Sequence, residues 1–444
     1  MIELSALVAL GVIFVLAMLG VHVALTFLIG STVGLYILFA DWGMTLGLLQ
    51  QTAFDGIRDY NLMVIPLFAV MGLLIARSGA AQDLFALANR ALGRIPGRLA
   101  VATVAGNAVF AAVTGVGVAA AATFSHIAYP SMKASGYKRS FAAGTIAGSS
   151  VLGLLIPPSV FMIVWAVLTE QSIGRLFAGG VVPGILLAVL FGIWCMTFAA
   201  LEDRKTRTAS AAGGADNAQS LSASQGLTRA DPIGVIGVAL IIALTLGGIW
   251  GGWFTPTEGS AVGLAGAIVL SLVKGMGFGE MRDASREAGM VVTPIMFLLL
   301  GASMYAKLLA LAGVPQLVGE IFLSMHLGMT GTILFMVAVW LVLGCFVDSI
   351  SIMLLTVPLF WPIAQGLQMD PIVFAIVGIL VIEAGVLTPP FGIGAFVVKA
   401  AIPDKELKLG EVFRGLLPFW ILILVVACLV YAFPPLVTWV PSLL

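Results

Sequence analysis

Long apolar runs recur along the whole chain, and the short stretches between them hold nearly every charge. Leu4–Gly20, Val182–Leu201, Ile233–Trp250 and Leu417–Tyr431 are clear cases. About 18–20 consecutive apolar residues suffice for a helix to cross a bilayer. Only 9% of the 444 residues are charged and 61% are hydrophobic, against about 25% charged in a soluble domain. A water-soluble fold is excluded, and the predicted class is an all-α polytopic membrane protein. The first run lacks a basic leader, and runs like it recur to the C-terminus, so it reads as a spanning helix rather than a secretory signal.

Several function classes drop out. The formal net charge is zero, and no basic patch interleaved with aromatics suggests nucleic acid. Cys195, Cys345 and Cys428 sit in separate apolar segments without metal-ligand spacing, and read as packing or lipid-facing residues. His22, His126 and His326 form no pair for a metal or a proton relay. No Ser-His-Asp or two-carboxylate arrangement and no GxxxxGK[ST] motif occurs, which argues against an enzyme and against ATP-driven transport.

The polar, Gly/Ser/Ala-rich stretch 202–231 reads as a cytoplasmic linker. It divides the chain into halves at 1–201 and 232–444, and these resemble each other. A shift of 232 positions sets Pro130 on Pro362, Gly153 on Gly385, Leu155 on Leu387 and Pro157-Pro158 on Pro389-Pro390. Upstream, Gly79 and Gln82 match Gly313 and Gln316 after a further two-residue slip.

Lys- and Arg-rich loops stay in the cytoplasm. With both termini on the periplasmic side, all of the 21 basic residues except Arg58, Arg175 and Lys307 fall on the cytoplasmic side. That assignment requires about 99–130 and 329–362 to enter and leave on the same side, as re-entrant helical hairpins. One hairpin opens to each side, so the halves are expected to be inverted repeats. Ten or so crossings, two hairpins and two broken helices, at about 140–168 and 371–400, complete the expected architecture.

Four segments could carry chemistry. Pro157-Pro158 and Pro389-Pro390 each remove two backbone donors and open a helix near mid-span, leaving carbonyls and helix ends free to hold a cation. One such break alone is as well explained by a structural kink; two in corresponding positions point to a transporter site. Ser149, Ser150, Ser159 and Thr388 add hydroxyls. The hairpin midpoints are Thr114-Gly115-Val116, preceded by Asn107, and Gly344 to Ser349. Asp348 there is either an ion-path residue or a helix N-cap, or both. Glu383 is a second intramembrane acid whose surroundings the sequence leaves open. Thr255-Pro256-Thr257-Glu258 reads as a helix start.

The segments Ser131–Ser159, Thr169–Gly184, Phe254–Gly259 and Leu387–Gly394 together resemble the large membrane subunit of tripartite ATP-independent periplasmic (TRAP) transporters. The resemblance runs over nearly the whole chain. It implies an elevator-type, sodium-driven carrier of organic acids in a bacterial inner membrane. It also implies a small four-helix membrane subunit and a periplasmic substrate-binding protein as partners. Carried over by motif, one sodium site would use Thr114, Gly115, Gly148, Ser149 and Pro157, and the other Gly344, Asp348, Gly385, Thr388 and Pro390. Substrate would lie between the hairpin tips, near Asn107, Thr114, Ser150, Ser159, Ser349 and Gly392. The family's first tip often reads Ser-Gly-Ser; Val116 here removes one hydroxyl. A stand-alone proton-coupled or exchange carrier on the same plan is the alternative. A membrane enzyme or scaffold is a third reading, and it lacks the catalytic cluster it would need.

Overall fold

In a computed structural model of the chain, the described residues are 2–93, 95–115, 117–212, 231–324, 328–390 and 392–444. Among them the regular structure is helical throughout. The first half begins with α1 (Ile2–Met18), α2 (Val23–Phe39), α3 (Trp42–Arg58), α4 (Val64–Arg77) and α5 (Ala80–Ala91). It continues through α6 (Arg98–Thr114) and α7 (Gly117–Ala134), then α8 (Arg139–Ser149), α9 (Leu152–Leu155), α10 (Val160–Leu168) and α11 (Ile173–Ala212). The second half holds α12 (Pro232–Trp250), α13 (Pro256–Val273), α14 (Phe278–Leu311) and α15 (Val314–Ser324). After these come α16 (Gly328–Gly344), α17 (Ser349–Gly366), α18 (Pro371–Val386), α19 (Ile393–Ala401), α20 (Leu409–Ala432) and α21 (Pro435–Thr438).

Local chemistry sets many of these boundaries. Asp231 caps α12 and Asp370 caps α18, each followed by a proline in the first turn, where a missing N–H costs nothing. Thr255 and Glu258 form a reciprocal capping box that starts α13, so this loop is the helix start its sequence suggests. Stretch 202–231 departs from the expected linker at its beginning. Helix α11 runs on through Glu202 to Ala212, a segment rich in Ala, Glu, Lys and Arg, which are good helix formers. The remainder, 213–230, lies outside the described residues, as do Arg94, Val116, His326 and Phe391.

Seven helical spans among the described residues are long and apolar enough to cross a bilayer, and an eighth is added if α8–α10 counts as one span bent by 44°. Helices α1, α2, α16 and α18 are apolar but only 16 or 17 residues long. At 1.5 Å per residue they reach roughly 25 Å, short of the ~30 Å hydrocarbon core. Large apolar side chains face outward, among them Phe14 on α1, Leu240 on α12 and Val269 on α13. Such a surface suits lipid and not water.

Lipid is as apolar as leucine, so close packing rather than hydrophobic burial holds these helices together. Gly144 of α8 and Gly415 of α20 meet main chain to main chain. At the centre, Trp165 of α10 packs edge-on against Trp340 of α16, with ring centres 6.2 Å apart, and against Phe374 of α18 at 5.5 Å. The Trp340 indole donates to Thr356 Oγ1 at 2.8 Å, tying α16 to α17. The second part of one interrupted helix, a helix pair and the other interrupted helix thus share one core. Pro130 lies inside α7 and Pro362 inside α17, the second member of each pair.

Candidate functional site

Both proline pairs interrupt their helices. After Ser149 the chain makes the single turn of α9, leaves helical geometry at Ile156 and resumes as α10. Helix α18 ends at Val386, and α19 begins only at Ile393. Both Pro-Pro bonds are cis. Prolines at 157 and 158 cannot donate to the carbonyls of Gly153 and Leu154 four residues back, and those at 389 and 390 cannot serve Gly385 and Val386. Two of the four find substitutes. The Ser159 hydroxyl donates to Leu154 O at 2.7 Å, and Thr388 N–H donates to Gly385 O at 2.8 Å.

The α6–α7 turn sits directly on the first break. Gly115 adopts φ +63°, which glycine tolerates freely. Its carbonyl accepts from Val160 N–H at 3.3 Å, and a Cβ here would lie 2.8 Å from Pro158 O. Only a glycine lets this turn come so close. The α16–α17 turn leans on the second interrupted helix through a glycine pair: a Cβ on Gly385 would stand 2.8 Å from Trp340 O and 3.1 Å from Gly344 Cα.

These four pieces enclose a cavity of about 160 Å³. Gly115 and Gly117 line it from the first turn, and Ser150 and Leu154 from the first interrupted helix. Asp348 and Ser349 line it from the second turn, with Glu383 and Leu387 from the second interrupted helix. Ile295 of α14 closes one side. Asp348 is the N-cap of α17, its Oδ1 accepting from Ser351 N–H at 3.0 Å, and the residue also lines the cavity. Glu383, left open by the sequence, is buried on the cavity wall.

Other expected site residues stand beside the cavity rather than on it. Ser149 Oγ donates to Thr145 O at 2.6 Å and accepts from Asn107 Nδ2 at 2.6 Å, so these two side chains tie α6 to α8. Gly148 lies under the Phe419 ring of α20. Ser159 caps α10 through Met162 N–H. Pro157 is buried, whereas Pro390 is exposed. Thr388 Oγ1 donates to Ala384 O at 2.8 Å and accepts from Trp420 Nε1 at 3.0 Å. Gly392 packs against Phe413. The Thr114 side chain lies outside the described residues. Gly117 belongs to the first hairpin tip that the sequence marks, whereas sequence reasoning passed over Ile295, whose only local signal is the neighbouring Pro294 inside α14.

An all-helical bundle with lipid-facing apolar surfaces and two helices broken around a largely apolar cavity that holds two acidic side chains defines a polytopic membrane transporter. Sequence comparison gives its family. The profile of the DctM component of tripartite ATP-independent periplasmic transporters matches residues 10–436, and the chain belongs to this family. It is 32% identical over 387 residues to the C4-dicarboxylate TRAP transporter large permease protein DctM of Pseudomonas aeruginosa, covering 87% of each chain. Identity is also 32% over 425 residues, 95% of each chain, to the ectoine/5-hydroxyectoine TRAP transporter large permease protein UehC of Ruegeria pomeroyi. The chain is therefore a TRAP large permease subunit and not an enzyme, and it works within a multicomponent system. In fold it is similar to the Alcanivorax borkumensis YdaH transporter, with TM-score 0.57 at 14% identity, covering 90% of this chain and 89% of that one.

Proposed function

We propose that this chain is the ion- and substrate-carrying subunit of a sodium-gradient-driven symporter for an organic acid. A periplasmic substrate-binding protein delivers the acid, and a small four-helix membrane subunit completes the scaffold. The observation that carries this reading is the convergence of both helix turns and both interrupted helices on one cavity. Paired discontinuous helices at mid-bilayer are the form in which secondary transporters hold ions and substrates.

In this reading the halves are inverted repeats, and α6–α7 and α16–α17 are re-entrant hairpins. The hairpins and interrupted helices move together as an elevator in a bacterial inner membrane. Sodium is cargo. One ion lies where Gly115 meets the first break, near Gly148, Ser149, Pro157 and Thr114. The other lies at Gly344, Asp348, Gly385, Thr388 and Pro390. Main-chain carbonyls are the main donors, because the Ser149 and Thr388 hydroxyls already hold protein partners. The carbonyls of Gly153 and Val386, whose helical donors are prolines, suit a hard cation. Periplasmic termini agree with the ion pairs. Residues assigned to the cytoplasmic face pair with one another, as Lys133 with Asp404 and Arg77 with Glu287, while Lys307 pairs with Asp55 three residues from Arg58.

The test is uptake into proteoliposomes that hold this chain and its small partner, with the binding protein added outside. Uptake should follow an inward sodium gradient and stop without the binding protein. Uptake that ignores sodium and follows a proton gradient would replace this mechanism with the proton-coupled alternative.

A further inference from the structure

The cavity is electrically one-sided. Its described lining holds two carboxylates, Asp348 and Glu383, and no Lys, Arg or His. Asp348 uses Oδ1 to cap α17. Glu383 is 4% exposed, and its Oε1 has no hydrogen-bond partner among the described residues. A buried acceptor left open in this way is destabilising until a donor arrives. Ser349 lies on the same wall. Away from this pole the lining is apolar, apart from Ser150 and the main chain of Gly115 and Gly117. The volume, about 160 Å³, suits a small molecule, since a cavity of ~150 Å³ accommodates benzene.

The geometry points to a subsite for a positively charged nitrogen at Glu383, beside Ser349, with Asp348 left to the second sodium ion of the proposed function. The organic acid carried is then a small zwitterion, with one carboxylate and one cationic nitrogen, rather than a dicarboxylate. This rests on the reading of the cavity as the substrate site. With sodium offsetting Asp348, a dianion would still bring its second negative charge against Glu383 in a site of low dielectric, where like charges repel strongly. A zwitterion places its nitrogen on the open Glu383 oxygen and its carboxylate toward Ser150 and the Gly115–Gly117 turn.

Charged thiol reagents of equal reach test the pole directly. The three native cysteines are replaced by alanine and Ile350, on the cavity wall beside Ser349, by cysteine. The purified full chain is then labelled at pH 8 with aminoethyl and sulfonatoethyl methanethiosulfonate. Each rate is divided by the rate with free cysteine. The aminoethyl reagent should be favoured at least tenfold. Glu383→Gln should reduce that preference several-fold, and Glu383→Asp should keep it. No preference, preference for the sulfonate, a preference untouched by Glu383→Gln, or a thiol unreactive to both reagents would overturn the inference. So would a preference that vanishes when choline is replaced by sodium, because the pole would then belong to the ion. If Glu383→Gln does not fold, the parent alone decides, since the preference must be present in it. Labelling does not depend on what drives uptake, so its failure and a failed sodium-gradient experiment are separate results.

Discussion

Replacing Gly344 with alanine places a methyl group in a contact made by main chain on both sides. A Cβ on Gly344 would lie 2.7 Å from Val386 N and closer still to the Gly385 carbonyl carbon and Cα, where 3.4–4 Å is ordinary contact. Backbone cannot rotate away as a side chain does, so α16 and α18 must part by about 1 Å to restore normal separations. Overpacking of this kind costs about 1–3 kcal/mol, and the gain in helix propensity returns about 1 kcal/mol of it. The larger effect is on the ion. Workable metal–ligand distances hold within about ±0.2 Å, so a shift of about 1 Å takes the proposed Gly344 and Gly385 ligands out of reach. Sodium half-saturation of uptake should rise at least tenfold, equivalent to about 1.4 kcal/mol. Gly289→Ala in α14 is the control, since nothing lies within 4 Å of its Cβ position. The assays are sodium-titrated uptake and thermal unfolding in detergent. Were Gly344→Ala to melt with the control and keep its sodium response within twofold, the second ion site would not be at this crossing.

Two further outcomes separate structure from function. Asparagine caps a helix about as well as aspartate, so Asp348→Asn should leave α17 and the melting temperature unchanged while lowering uptake at least tenfold; parental uptake would reduce Asp348 to a cap. Asp404, in the α19–α20 loop, takes hydrogen bonds from Lys133, Tyr129 and the Glu406 N–H, and these hold its carboxyl well below the usual range. A depressed native value gives stability that is fully present above the unfolded carboxyl range, about pH 4, and is lost as pH falls through the native value. Asp404→Asn should therefore melt below the parent at pH 7, with a gap that narrows under about pH 4; a gap that widens on acidification would refute the assignment.

The features legible in the sequence are those that one or two residues dictate. A proline pair removes two donors whatever surrounds it, and both predicted interruptions occur where the pairs stand. Asp348 and the Thr255–Glu258 segment could be read as helix starts because an N-cap acts within three residues. Gly115 could be read as a turn because its left-handed backbone needs no distant partner. The linker was misjudged over 202–212 for a related reason. Its small polar residues suggested a flexible tether, but the Ala, Glu, Lys and Arg among them extend a helix already nucleated in α11.

What the sequence could not supply is which face of each break meets which neighbour. Gly148 and Ser149 adjoin a predicted opening, yet Gly148 meets Phe419, and Ser149 is taken up by Asn107 and Thr145. Thr388 shares its hydroxyl with Trp420, which follows Phe419 on the same helix. Two consecutive residues of α20 therefore reach the two interrupted helices, a relation that only the crossing angle of α20 creates. The Ser149 and Thr388 hydroxyls beside the breaks already hold protein partners, which is why the proposed ion sites rest on main-chain carbonyls. On the cavity wall, the carboxyl oxygen without a partner among the described residues belongs instead to Glu383, two residues before the Gly385 contact. The selection we infer thus rests on a residue outside the proline motif, while the motif itself shapes the space that the residue faces.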